Sequence, residues 1–181
     1  MIHARHAAIG WWRELQPDPA RKHPGDRATL ARLRRCATIS EVMAESACIV
    51  LFRRCKAVTA DDLPAIALAA GVLAHVRADD TMHPARRVGP EAPEKPETAL
   101  LKPLRFRALM EARTGDERLT AFRRLVALAD RTLNVRETAE ALLDWDDERQ
   151  RKWVFDYWNA GPPPHTNAPA PTNAPAKDTA G

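Results

Sequence analysis

Cysteine is scarce and poorly spaced in this 181-residue chain: Cys36, Cys48 and Cys55 form no CxxC pair and leave one over. That excludes a disulfide framework and a paired-thiolate metal knuckle, and it points to a reducing, cytoplasmic setting. Long apolar runs are missing too. No stretch approaches the roughly 18 residues that a membrane span needs, and MIHARHAAIGWWREL has no apolar core of signal-peptide length. The alternation of a half-buried strand is absent throughout, so the expected fold class is all-α. No serine, cysteine or lysine has a recognisable activating partner, which leaves nucleophilic catalysis without support.

What is present is charge, and it is segregated. The formal net charge is only +4, yet the pI is about 9.2. Residues 21–56 carry nine basic side chains against Asp26, Glu41 and Glu45, whereas residues 130–158 carry five against eight acidic ones. A basic face for an acidic partner, most often nucleic acid, and a separate surface for protein follow from such a division.

The helices are legible from their caps. Residues 4–15 read as a short helix stopped by QPDPARKHPGD. Asp26 caps the next, with Leu30 and Leu33 inward. Thr38 and Glu41 form a capping box that opens a helix over residues 39–54, with Val42, Met43, Ile49, Val50 and Phe52 as its apolar positions and Cys48 and Cys55 as small core residues. Asp61 and Pro64 start an Ala-, Leu- and Val-rich helix over residues 66–76, expected to be central. The stretch LKPLRFRALMEARTGDERLTAFRRLVALAD reads as two amphipathic helices split at Thr114 and Gly115, with Asp116 as cap. Leu119, Phe122, Val126 and Ala129 make one buried stripe in the second. Arg124 points away from that stripe and Arg123 flanks it. Asn134 with Glu137, then Asp146, open the last two helices, and Trp153, Val154, Tyr157 and Trp158 give the final one its buried side.

The expected organisation is therefore an N-terminal helical domain over residues 1–78, an exposed proline-rich linker over 79–98, a C-terminal helical bundle over 99–159 and a disordered tail over 160–181 with TNAPA twice. On the arginine-rich pair, Lys102, Arg105, Arg107, Arg113, Arg118, Arg123 and Arg124 stand against Glu111, Asp116 and Glu117, and guanidinium is the group best shaped to grip phosphate oxygens in pairs. The competing reading is a solvated face laced with i, i+4 ion pairs.

WWRELQPDP, then GDRATLARLRRC leading into SEVM, then FRALMEARTGDERLTAFRRLVALAD and a last helix ending YWN follow one another in an order and spacing that resemble the CasB family. That family is the small subunit of the type I-E CRISPR Cascade complex, and the resemblance covers residues 9–159. It implies a non-enzymatic helical subunit without cofactor or metal, present in two copies. Its partners would be the backbone and large Cascade subunits with their guide RNA, and the target and displaced DNA strands of the R-loop. Carried over by position, it places Arg34, Arg35, Arg113, Arg123 and Arg124 in the basic role; Arg53, Arg54, Lys102 and Arg105 join them from the charge pattern. The proline-rich connection and the repeated tail match nothing in the family pattern. Trp11 and Trp12 are expected to anchor a protein interface, with Asp146, Asp147 and Glu148 as its acidic part.

Two alternatives belong to other classes. One is an adaptor that binds only protein. The other is a metal-dependent phosphohydrolase: His75, Asp79, Asp80 and His83 fall at i, i+4, i+5 and i+8, and a helix reaching His83 would gather His75, Asp79 and His83 on one broad face.

Overall fold

The computed structural model describes residues 2–20 and 22–161. Among them the chain forms α1 (Ala7–Leu15), α2 (Arg27–Arg35), α3 (Ile39–Met43), α4 (Ser46–Arg54), α5 (Leu63–Leu73), α6 (Pro84–Val88), α7 (Pro103–Glu111), α8 (Gly115–Leu128), α9 (Val135–Leu143) and α10 (Asp147–Tyr157). A short parallel pair, β1 (Ala78–Asp79) with β2 (Thr132–Leu133), is the only sheet among the described residues. The protein is all-α. Residues 162–181, most of the tail expected to be disordered, lie outside the described residues.

Helix α5 is the centre of the packing because it is apolar all round. Every residue from Ile66 to Leu73 is buried, as a helix without a polar face must be, and α3, α4, α8 and α9 pack around it. Small side chains let them come close. A Cβ on Gly71 would fall 2.9 Å from Leu119 Cδ1 and 3.1 Å from Val42 Cγ2, so the crossing with α8 and α3 depends on that hydrogen. The side chains expected inside residues 1–78 and 99–159 thus share one buried cluster running from Ala8 to Tyr157.

Local signals account for most helix starts. The side chains of Asp26, Thr38, Asn134 and Asp146 accept from backbone N–H groups three residues on. Thr114 and Glu117 form a reciprocal capping box, so Thr114 rather than Asp116 is the cap of α8. Asp116 is used elsewhere: its Oδ1 accepts from Ile39 N at 2.7 Å, fastening the start of α3 to the start of α8.

Two expectations are corrected. The single helix over residues 39–54 is broken at Ala44 and Glu45, and Glu45 is extended. Ile39 and Val42 lie on one buried stripe and Cys48, Leu51 and Cys55 on another. Cys48 comes six positions after Val42, an offset that a continuous 3.6-residue helix would turn onto a different face. The break brings both stripes inward and leaves Ile49 and Val50 exposed. The second correction concerns the connection over 79–98, which is not simply exposed. His83 caps α6 by accepting from Ala85 N, Ala85 and Val88 are fully buried, and α6 packs on α10. Leu101 N donates to Val88 O at 2.9 Å, Tyr157 donates its hydroxyl to Leu101 O at 2.6 Å, and Tyr157 stacks on Phe106 with ring centroids 3.7 Å apart.

Candidate nucleic-acid interface

The carbonyls at the C-terminal ends of α2 and α5 have no partners within their own helices and sit at the negative ends of the helix dipoles. Arginines meet them. Arg34 donates Nε to Ala74 O at 2.7 Å. Arg123 donates Nε to Gly71 O at 3.1 Å, Nη1 to Cys36 O at 2.6 Å and Nη2 to Leu33 O at 3.1 Å, so one side chain from α8 ties down the ends of two other helices. Assignment of Arg123 to phosphate contact is corrected accordingly: three of its N–H directions are spent inside the fold. Burial lowers its pKa, but guanidinium stays charged.

His75 lies just beyond α5, partly buried, with Nε2 lacking a partner. Burial, reinforced by the nearby cations Arg123, Arg34 and Arg131, pushes its imidazole down to about 4. It is therefore neutral at physiological pH.

Arg34 has two further cationic neighbours. Its pKa is lowered first by burial and then by Arg77 and Arg131. The backbone explains why these three meet. Asp130 and Arg131 both adopt left-handed conformations, φ +52° and +59°, which non-glycine residues take up only where the surroundings hold them there. The Arg131 carbonyl then accepts from Arg77 N at 2.8 Å and Ala78 N at 3.3 Å, leading into the β1–β2 register of Ala78 with Thr132. Like charges set side by side across paired strands repel. No described carboxylate forms an ion pair with Arg34, Arg77 or Arg131. Three guanidinium groups without a neutralising partner make a cationic locus whose natural complement is a phosphate-bearing polyanion.

The remaining predicted arginines do not converge on that locus in one cluster. Arg105 and Arg124 line a groove of about 580 Å3 between α7 and α8, shared with Glu111, Asp116 and Glu117. Arg35, Arg53 and Arg113 are exposed. Arg54 is held by Glu14 at 2.6 Å, and Lys102 donates Nζ to Glu97 O at 2.6 Å. Arg118 caps α7 by donating to Ala112 O at 3.0 Å, rather than pairing with Glu117 or Asp116. Arg77 and Arg131 were missed because neither lies in a basic run. Their only sequence signal is that each follows the end of a helix by a few residues.

Trp11 and Trp12 are corrected as well. They are 2% and 5% exposed, and their indole N–H groups donate to Ala47 O and Val76 O, so both belong to the core. Asp146, Asp147 and Glu148 are exposed, and Asp146 also caps α10. Beside them an apolar groove on α10 is lined by Met110, Val154, Phe155 and Trp158. Val154 therefore faces outward instead of joining Trp153 and Tyr157 in the core.

The helix that the metal-dependent alternative requires ends at Leu73. Asp79 accepts from Val135 N, Asp80 pairs with Arg87, and His83 sits between Asp156 at 3.3 Å and Glu137 at 3.6 Å. Among the described residues no group of three His, Cys, Asp or Glu side chains is placed to hold a metal ion.

A family model described as CRISPR-associated protein Cse2 matches residues 29–158, from the first turn of α2 to the end of α10. No curated protein and no solved structure matches the chain.

Proposed function

This chain belongs to the Cse2 family, the CasB small subunit of type I-E Cascade, and from that premise we propose that it grips nucleic-acid backbone during R-loop formation without catalysis of its own. The observation that carries the reading is the unneutralised cluster of Arg34, Arg77 and Arg131 at the end of α5. Arg105 and Arg124 in the α7–α8 groove and the exposed Arg35, Arg53 and Arg113 lie apart from it and are not needed for the reading. Contacts of this kind neutralise phosphates and release counterions without reading bases. The polyanion is the target strand, the displaced strand or the guide, inside a cytoplasmic assembly that includes a second copy of the chain.

The test is filter binding of a single strand across a range of salt concentrations. Each phosphate contact on a single strand contributes about 0.7 to the log–log slope, so Arg77→Gln with Arg131→Gln should flatten it by about 1.4 while helical content stays constant. An unchanged slope removes these two residues from the interface.

One observation favours protein contact at a separate place: the acidic start of α10, with Asp147 and Glu148, adjoins the apolar groove of Val154, Phe155 and Trp158. We assign that face to neighbouring Cascade subunits. A chain that binds no strand even at low salt, yet still assembles, would be a protein-only adaptor.

A further inference from the structure

The connection over 79–98 is fastened to the bundle by an imidazole. His83 opens α6 and reaches acidic groups of both α9 and α10, with only 10% of its side chain exposed. Its ring makes a T-shaped contact with Trp153, centroids 5.4 Å apart, and Trp153 is itself in the core. Helix α6 packs on α10, so closely that a Cβ on Gly89 would collide with Tyr157 O.

Each nitrogen of the ring faces a carboxylate. Nδ1 lies 3.3 Å from Asp156 Oδ2, and Nε2 lies 3.6 Å from Glu137 Oε2. A neutral imidazole carries one hydrogen and one lone pair, so either tautomer aims its lone pair at a carboxylate oxygen. Only the imidazolium, a donor at both nitrogens, suits both partners. Nδ1 also has a third neighbour. It accepts from Ala85 N at 3.3 Å as the cap of α6, and it can do so only while it carries no hydrogen. In that capping form Asp156 Oδ2 and His83 Nε2 are both buried without a hydrogen-bond partner. Unpaired polar atoms on two sides of one ring call for an explanation.

The surroundings pull the ring in both directions. Burial is the largest influence and holds it below its ordinary 6.5; Asp156 and then Glu137 favour the charged form, while Lys152 and Arg149 oppose it. Those two cations have carboxylates of their own, Lys152 with Glu137 at 3.1 Å and Arg149 with Glu140 at 3.5 Å.

We propose that His83 is a proton-operated latch: on taking up a proton it gives up the cap of α6 and clamps the connection onto α9 and α10 through Glu137 and Asp156. The proton comes from solvent and adds to Nδ1. The hydrogen bond from Ala85 N to Nδ1 breaks, and Nδ1–H donates to Asp156 Oδ2 in its place. Nε2–H is then half of a cation directed at Glu137 Oε2. A carboxylate oxygen that had faced a lone pair now faces a charge-assisted donor, the stronger class of hydrogen bond.

The experiment is an NMR titration of the full chain from about pH 7.5 to about pH 5, the span in which histidine changes charge. It follows the ring nitrogens of His83 and the exchange protection of the Ala85 amide, corrected for the intrinsic pH dependence of exchange. The ring should pass from one protonated nitrogen to two with its midpoint below 6.5. Protection at Ala85 should fall about fivefold over the same range, the effect of losing one helix cap. His75 does not interfere, because its own midpoint is pushed down to about 4. Asp156→Asn keeps an acceptor and removes the charge, and it should weaken proton binding at His83 by at least about tenfold. A ring that keeps the same proton count across the whole range overturns the latch, and so does a ring that gains its proton without loss of protection at Ala85. Undiminished proton binding in Asp156→Asn overturns it too. If that variant does not fold, the wild-type titration decides.

Discussion

Arg123 and Arg124 are adjacent and chemically identical, yet the structure assigns them opposite work, and replacing each by Met separates the two. Arg123→Met keeps much of the aliphatic stem and deletes the hydrogen bonds to Leu33, Cys36 and Gly71. A hydrogen bond from a charged donor contributes about 1.5–3 kcal/mol. All three share one partly exposed guanidinium, so the low end applies, and solvent can reach some of the freed carbonyls. The expected loss is about 3–4 kcal/mol. For a chain of this size each 1 kcal/mol moves the midpoint by about 2–4 °C, which places the fall in Tm near 10 °C. Arg124→Met removes an exposed side chain with no internal hydrogen bond and should stay within about 0.5 kcal/mol of wild type. Arg123→Lys should recover only part of the loss, because one ammonium cannot span three carbonyls on two helix ends. Urea unfolding followed by far-UV circular dichroism measures all three. Equal midpoints for Arg123→Met and Arg124→Met would refute the clamp. The reasoning would also fail if Arg123→Met, while still folded, flattened the salt dependence of strand binding more than Arg124→Met.

Trp11→Ala should destabilise the isolated chain by about 3–5 kcal/mol, the usual cost of truncating a buried Trp; an isolated chain of wild-type stability that fails only in assembly would return Trp11 to an interface. His75 is held neutral in the fold to about pH 4, against an ordinary value of 6.5, so the unfolded chain takes up its proton first. That stability is complete above pH 6.5 and declines as pH falls towards 4; His75→Gln should show a shallower fall of Tm across that window, and identical pH profiles would rule it out. Asp147→Lys with Glu148→Lys should lower co-purification with the other Cascade subunits while costing the isolated chain only about 0.3–1 kcal/mol per charge through the α10 dipole. Undiminished co-purification would exclude that face.

The helix inventory was open to reading because its determinants are local. Asp26, Thr38, Asn134 and Asp146 each satisfy an N–H three residues away, a reach that any folded or unfolded neighbourhood allows. The all-apolar run in α5 likewise announces burial on every side. Where the reading failed, a distant segment intervened. The split at Ala44 and Glu45 serves two buried stripes that both pack on α5. The Cβ clearance at Gly71 depends on Leu119 and Val42, which no pattern within α5 reveals.

What the amino-acid order determined alone is the class, the caps of α2, α3, α9 and α10, the central helix and the family, since these reside in residue types, short spacings and motif order. The placement of each cation was decided by tertiary structure. Arg123 reaches carbonyls 52, 87 and 90 residues away, Arg54 meets Glu14 across 40, and Arg77 joins Arg131 only because two short strands pair. Whether a guanidinium caps a helix or faces solvent depends on which acceptors the packed core brings within about 3 Å, and those acceptors take up their positions only when the chain is assembled around α5.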